Sequence, residues 1–449
     1  MSEHKGEPYT AIVVGSGCSV GLGIPTLAGF LDTVMDKLAK VSTDSTDYPK
    51  AEHDLAAIQT FITRVKGAAA YVNADLLNIE ELYGMADMDE DLWRAAGCPY
   101  PEKWYGFRPS VGDLDPMEIK KALNRAIFHL ASPAGEEFLT KPDRFPQSLK
   151  QLEEIKRESA TESLLHSNTG THWTTLMAYL CLASFQDKNN AYPLFIQFNW
   201  DLALDRALCY WIKLRITNET STDEEWKRVR NHLKTCENPK PCGTEKIWLP
   251  WYGKRPKSIL CYRHWPLLSR PHGGINWIDT ELDSGNEVGC FRWPKKTDNK
   301  ICIDTCPVFH KEHTESSSWG GQGEAMAIVP PTWRKQATKP AYEAQWGHIS
   351  QGLESVRRII FIGYSLPKTD LYFRHFIALS LADNPHLPKV YVLNPSILEP
   401  GGVRENFLDL FAPLARKGRL YAIPGRFGDP ALFDLHRAMA LAKPIYPRE

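Results

Sequence analysis

The stretch "GSGCSVGLGIPT" (15–26) sets Gly15, Gly17, Gly21 and Gly23 directly after a β-branched run and just before a helical pattern. Glycines at such a junction let a backbone approach a bound group closely, and a helix start presents N–H groups with no partner of their own. The loop therefore reads as a phosphate cradle, with Gly15 and Gly17 facing a pyrophosphate and the helix starting near Pro25. It is not the dinucleotide fingerprint G-x-G-x-x-G, because the third glycine stands one position late. No second strand with a terminal acid follows about twenty residues on, so an ordinary dehydrogenase is disfavoured. A second set of reactive side chains lies in "CIDTCPVFHKEH" (302–313), where Cys302, Cys306, His310 and His313 could in principle ligate zinc. The chain has no C-x-x-C pair and the set matches no recognised finger spacing, so buried thiols and surface histidines are expected and no metal is.

Strands and helices must position that loop. Apolar, β-branched runs read as buried parallel strands at 10–15, 193–199, 358–363 and 389–394, with a weaker one at 419–423. Helical spacing follows two of them. Leu27, Leu31, Val34, Met35 and Leu38 share a face after the glycine loop. Leu371, Phe373, Ile377, Leu379 and Leu381 follow "RIIFIGYSLPKTD", with Asp370 as the N-cap. Strands alternating with helices imply an α/β fold: an open, doubly wound parallel sheet of Rossmann-like type. Between the loop and the next strand, residues 51–65, 116–131 and 172–185 read as helices, so 31–190 is expected to be a helical insertion. Residues 215–340, rich in Trp, Pro, Gly and Cys and poor in periodicity, are expected to form a small irregular lobe. The sheet domain is then discontinuous, 1–30 plus 191–449.

Bulk properties narrow the class. With 53 Lys+Arg against 54 Asp+Glu, the net charge of -1 gives no support for a nucleic-acid or anionic-membrane partner. The longest apolar stretch, 176–185, is too short to span a bilayer. The polar opening "MSEHKGEPYT" has no apolar region behind it, and the 10 cysteines form no dense framework, so a cytoplasmic protein with reduced thiols is expected.

The order of residues is more specific than the glycines. "GSGCSVGLGIPT" resembles the sirtuin signature G-A-G-x-S-x-x-x-G-I-P-x-F, matching at Gly15, Gly17, Ser19, Gly23, Ile24 and Pro25. Sirtuins then carry T-Q-N-I-D at a strand end, where this chain has "QFNWD" (197–201). They carry an H-G dipeptide, and "RPHGGINW" (270–277) is close to the H-G-S-I-N-W of bacterial sirtuin-like proteins. They end with G-T-S on one strand and an Asn on the next, where this chain has "FIGYSLPKTD" (361–370) and "VYVLNPS" (390–396). The G-Y-S-L-P-x-x-D form resembles the bacterial branch associated with anti-phage defence. The likeness is confined to these four ordered motifs.

That resemblance implies binding of NAD+ as a substrate. Gly15, Ser16, Gly17 and Ser19 would line the pyrophosphate, Gly363 and Ser365 would face phosphate and ribose, and Asn394 would meet the adenosine ribose. Gly23, Ile24 and Pro25 complete the binding signature. Asn199 and Asp201 would hold the nicotinamide ribose, and His272 would be the general base. Departures fall at Leu27 and Ala28, where sirtuins have Phe and Arg, and at Phe198, where they have Gln.

The chemistry suits these residue types. The nicotinamide–ribose bond already has a cationic leaving group, so the need is to steady an oxocarbenium-like centre and to activate a nucleophile. Asn199 can orient ribose or water, and a neutral imidazole at His272 can accept a proton near pH 7. Plainer roles remain open, Asn199 as a helix cap and His272 as a turn residue beside Gly273 and Gly274. The leading expectation is an NAD+ hydrolase of anti-phage defence; a protein deacylase or ADP-ribosyltransferase, or a non-catalytic nucleotide sensor, are the alternatives. A homo-oligomer is expected, held at low activity until a phage-derived trigger or a partner ATPase or Argonaute acts. The helical segment and the amphipathic "EEWKRVRNHL" (224–233) offer the means.

Overall fold

A computed structural model describes residues 10–41, 43–44, 48–72, 75–95, 116–131, 193–201, 203–204, 251–252, 267–279, 288–290, 326–328, 340–368, 370–427, 429 and 435–447. The expected helix at 172–185, the amphipathic 224–233 and the Cys/His set at 302–313 lie outside these residues.

The expected strands are the core of one sheet. They are β1 (Thr10–Val14), β2 (Leu194–Gln197), β8 (Arg358–Ile362), β9 (Lys389–Leu393) and β10 (Leu420–Ile423). Two short strands, β3 (Trp251–Tyr252) and β4 (Leu267–Ser269), extend it past β2, and β11 (Lys443–Pro444) closes the other edge. The order is β11-β10-β9-β8-β1-β2-β4-β3, parallel throughout except for the antiparallel β11. Part of 215–340 is thus regular, not irregular: besides β3 and β4 it holds an antiparallel sheet of β5 (Gly273–Asp279), β6 (Val288–Cys290) and β7 (Met326–Ile328). Apart from the seven-residue β5, these strands have two or three residues and carry no readable periodicity, which is why the sequence does not show them.

Alternation along the strands assigns residues to two cores. Ile12 and Val14 join Phe195 on one face, while Ala11 and Val13 join Leu194 and Ile196 on the other. The first face is covered by α1 (Leu27–Ala39), α2 (Tyr48–Val72), α3 (Ile79–Ala95) and α4 (Pro116–Ala131), through Leu31, Phe61, Leu82 and Leu123 among others. The second is covered by α5 (Pro340–Leu353), α6 (Leu371–Ala382) and α7 (Val403–Arg416), through Ile349, Phe373 and Phe407. The short α8 (Leu435–Ala440) returns to the first face. The described helices of 31–190 therefore share a core with the sheet and form one of its two layers. This is an α/β, Rossmann-like architecture.

Local chemistry explains the helix ends and faces. On α1, Leu31, Val34 and Leu38 are buried as their spacing requires. Asp370 caps α6, its carboxylate accepting from the Phe373 N–H at 3.3 Å. On α6 the buried apolar positions are Phe373 and Ile377, with Ser380 beside them; Leu371 and Leu379 face outward, because the inward arc is narrower than the apolar run. Inside the helical layer, Arg125 of α4 donates through Nε to Asp54 of α2 at 2.7 Å and through Nη2 at 2.5 Å, both side chains fully buried. Such a fork fixes how the two helices register.

Candidate active site at the switch point of the sheet

After β1 the chain builds β2, β4 and β3 on one side and then returns to build β8 on the other side of β1. Loops from adjacent strands thus diverge at the C-terminal end of β1, where doubly wound sheets leave a crevice. Four loops meet there: 15–26 after β1, 198–201 after β2, 270–272 after β4 and 363–370 after β8. The crevice they line is partly open to solvent.

Its wall brings together Ser16, Ser19, Asn199, Asp201, His272 and Ser365, all expected from the sequence. Ile24 and Pro25 line it as well. Gly15, Gly17, Gly23, Gly363 and Asn394 are not part of the wall. Asn394 sits in the turn after β9, where its Oδ1 accepts from the Ser396 N–H at 2.9 Å.

The polar groups are tied across the crevice. Asn199 Nδ2 donates to Gly15 O at 3.0 Å and to Ser19 Oγ at 2.9 Å. Ser19 Oγ in turn donates to Asp201 Oδ2 at 2.7 Å. Asp201 Oδ1 accepts from the Ala203 N–H at 2.9 Å, so the cap after β2 is Asp201, not Asn199. With both amide hydrogens of Asn199 engaged, its carboxamide oxygen remains to meet a ligand.

His272, at 1% exposure, is held by an aromatic stack. Phe198 meets its ring edge-on at 4.7 Å and stacks on Tyr364 at 4.8 Å. Phe198 therefore gives the imidazole a hydrophobic wall that sets its plane. Tyr364 donates its hydroxyl to Asp370 Oδ2 at 2.6 Å. Burial first, then the charge of Asp370, keeps this phenol protonated well above its ordinary range.

The glycines have a role the sequence does not suggest. A Cβ on Gly15 would stand 2.6 Å from Gly363 O and Tyr364 Cα, and one on Gly17 would stand 2.9 Å from Gly363 Cα. Gly363, at φ +61°, faces Cys18 N at 2.5 Å from its own imagined Cβ. The loop after β1 and the loop after β8 thus lie backbone on backbone. The Gly15 and Gly17 N–H groups donate to Ile362 O (3.0 Å) and Gly363 O (2.9 Å), and those of Cys18 and Ser19 to Gly15 O and Ser16 O. These amides are committed within the protein, so the glycine requirement comes from loop packing. Cys18 seals the contact, its thiol donating to Ile362 O at 3.1 Å. Burial above all holds that thiol protonated, against the lowering effect of the Gly15 hydrogen bond.

Sequence reasoning missed the contribution of the helical layer. Phe30 of α1, Glu80 of α3 and Ala131 at the end of α4 complete the wall. Glu80 is almost fully buried and follows Asn78, whose Oδ1 accepts the Glu80 N–H at 3.0 Å. The Asn in "NIEE" (78–81) signals a helix start, but nothing in the sequence aims Glu80 at a crevice. Among the described residues the wall then holds three carboxylates (Glu80, Asp201 and Asp370) and no lysine or arginine.

Among the described residues no helix is long and apolar enough to cross a membrane, and no group of three His, Cys, Asp or Glu is placed to hold a metal. No known family model matches this chain, and no curated protein matches it.

Proposed function

We propose that this protein is a sirtuin-like NAD+ glycohydrolase, cleaving the nicotinamide–ribose bond with water to give nicotinamide, ADP-ribose and a proton. The observation that carries this reading is the convergence of Asn199, Ser19, Asp201 and His272 on one crevice at the switch point. The acidic wall supports it, since a cationic pyridinium ring and an oxocarbenium-like ribose gain from Glu80, Asp201 and Asp370. The diphosphate would lie beyond this wall, nearer the outer face of the loop after β1.

In this reading the carboxamide oxygen of Asn199 accepts from a ribose hydroxyl or the attacking water. His272 takes the proton that water loses. Asp201, anchored by Ser19 and the Ala203 N–H, offsets positive charge as the bond breaks. The biological role that fits is cytoplasmic NAD+ depletion during anti-phage defence, by a homo-oligomer released by a phage-derived trigger or a partner such as an ATPase or Argonaute.

Incubating the purified protein with NAD+, with and without an acetylated peptide, tests the reading. Nicotinamide release without peptide is expected, and Asn199→Ala and His272→Ala should each lower it at least about a hundredfold. Near-normal release by either folded variant removes that residue from the mechanism. Release only with peptide would make the protein a deacylase or transferase, and binding without release a sensor.

A further inference from the structure

We infer that Arg270 is the positioning residue that sets Asn199 and His272 relative to one another, an inference that rests on the reading of those two as the reacting groups. Arg270 follows β4, two residues before His272, and its side chain is fully buried. Its Nη1 donates to Asn199 O at 3.0 Å and to Gly273 O at 3.5 Å, and its Nη2 to Asp201 O at 2.6 Å. One guanidinium therefore grips the turn after β2 at both ends and the turn that carries His272. Its own backbone N–H donates to Gln345 Oε1 of α5 at 3.0 Å, which pins the residue to the opposite helical layer.

The choice of side chain is informative. Burying a full positive charge against carbonyl dipoles is costly, and an apolar side chain of the same size would pack here more cheaply. A planar fork is the one cation that can bond carbonyls of two separate turns at fixed angles; a lysine ammonium reaches them singly and from a flexible stem. The Ile275 N–H to Trp200 O bond at 3.0 Å ties the start of β5 to the same turn after β2. The guanidinium touches carbonyls and lies behind the reacting side chains, so its effect on the reaction passes through Asn199 and His272.

The test is a mutant cycle on nicotinamide release. Arg270→Lys should lower kcat about ten- to a hundredfold with KM changed by less than about threefold, since the ligand's own contacts remain. In a His272→Ala background, the same change should cost less than about threefold, because the imidazole it places is gone. Should Arg270→Lys not fold, Gln345→Leu loosens the clamp from behind and should give a smaller kcat loss with the same dependence on His272. Unchanged kcat in Arg270→Lys, or an equal fold loss with and without His272, overturns the inference and marks Arg270 as scaffold alone. A His272→Ala protein as active as the parent would instead overturn the underlying reading, and this inference with it.

Discussion

Ser19 donates its hydroxyl hydrogen to Asp201 at 2.7 Å, although 182 residues separate them in the chain. Both are buried, and the same oxygen accepts from Asn199 at 2.9 Å. That hydroxyl thus joins the Asn199–Gly15 bond in fastening the loop after β1 to the loop after β2, with a candidate catalytic amide on one side and a carboxylate on the other.

Removing that hydroxyl tests the link. Ser19→Ala removes the acceptor of one Asn199 N–H and a donor to Asp201, which should lower stability by about 1–3 kcal/mol. Release of nicotinamide should fall at least about tenfold because the Asn199 amide is then held by Gly15 O alone. Denaturant titration and turnover on the same preparation check both; a stable variant with parental turnover would dismiss the bridge.

Glu80 should matter through charge. Glu80→Gln keeps the shape and removes one negative group from the wall, so affinity for NAD+ should drop about three- to tenfold. Affinity for NADH, whose ring is neutral, should hold. Calorimetry in the His272→Ala background, where turnover is suppressed, reads both ligands. Equal losses for the two would show that Glu80 acts by shape.

Two glycines in one loop should respond differently. Gly17→Ala forces a Cβ to 2.9 Å from the Gly363 backbone, an overpacking cost of about 1–3 kcal/mol or more. Gly23→Ala meets no atom within 4 Å and bears only the strain of φ +82°, about 1 kcal/mol. Chemical unfolding midpoints separate them. A larger loss at Gly23 would mean that the two loops part easily.

Cys18 predicts an alkaline weakness. The folded thiol titrates well above its ordinary 9.0, so the folded state holds a proton that the unfolded chain gives up. Its contribution is complete below pH 9.0 and is lost as pH rises toward the folded value. Tyr364 adds a like loss above 10.0. Urea unfolding from about pH 8 upward should show stability falling, with a shallower fall in Cys18→Ala. The same slope in both proteins would contradict this assignment.

Much of the frame was legible because it is local. Five β-branched runs are strands, the spacing of Leu31, Val34 and Leu38 gives a buried helix face, and Asp370 caps where an acid after a proline turn should. Those signals depend on neighbours within a turn or two. The strands of two or three residues and the role of Glu80 were not legible, since neither leaves a period or a motif.

The sequence by itself determined the five main strands, the helices that follow two of them and the residues at those strand ends, because periodicity and turn chemistry act over a few residues. Only the tertiary structure decided that β1 lies between β2 and β8, and with that which strand ends share a crevice. It also reversed the meaning of Gly15 and Gly17, from room for a ligand to room for Gly363. It placed Asn199, Ser19 and Asp201 in one chain of hydrogen bonds, and it set a fully buried guanidinium behind them. Contacts across 182 residues, such as that of Ser19 with Asp201, have no local energy to betray them. They exist because sheet pairing fixes the strand ends in space, and burial there favours polar groups that find partners.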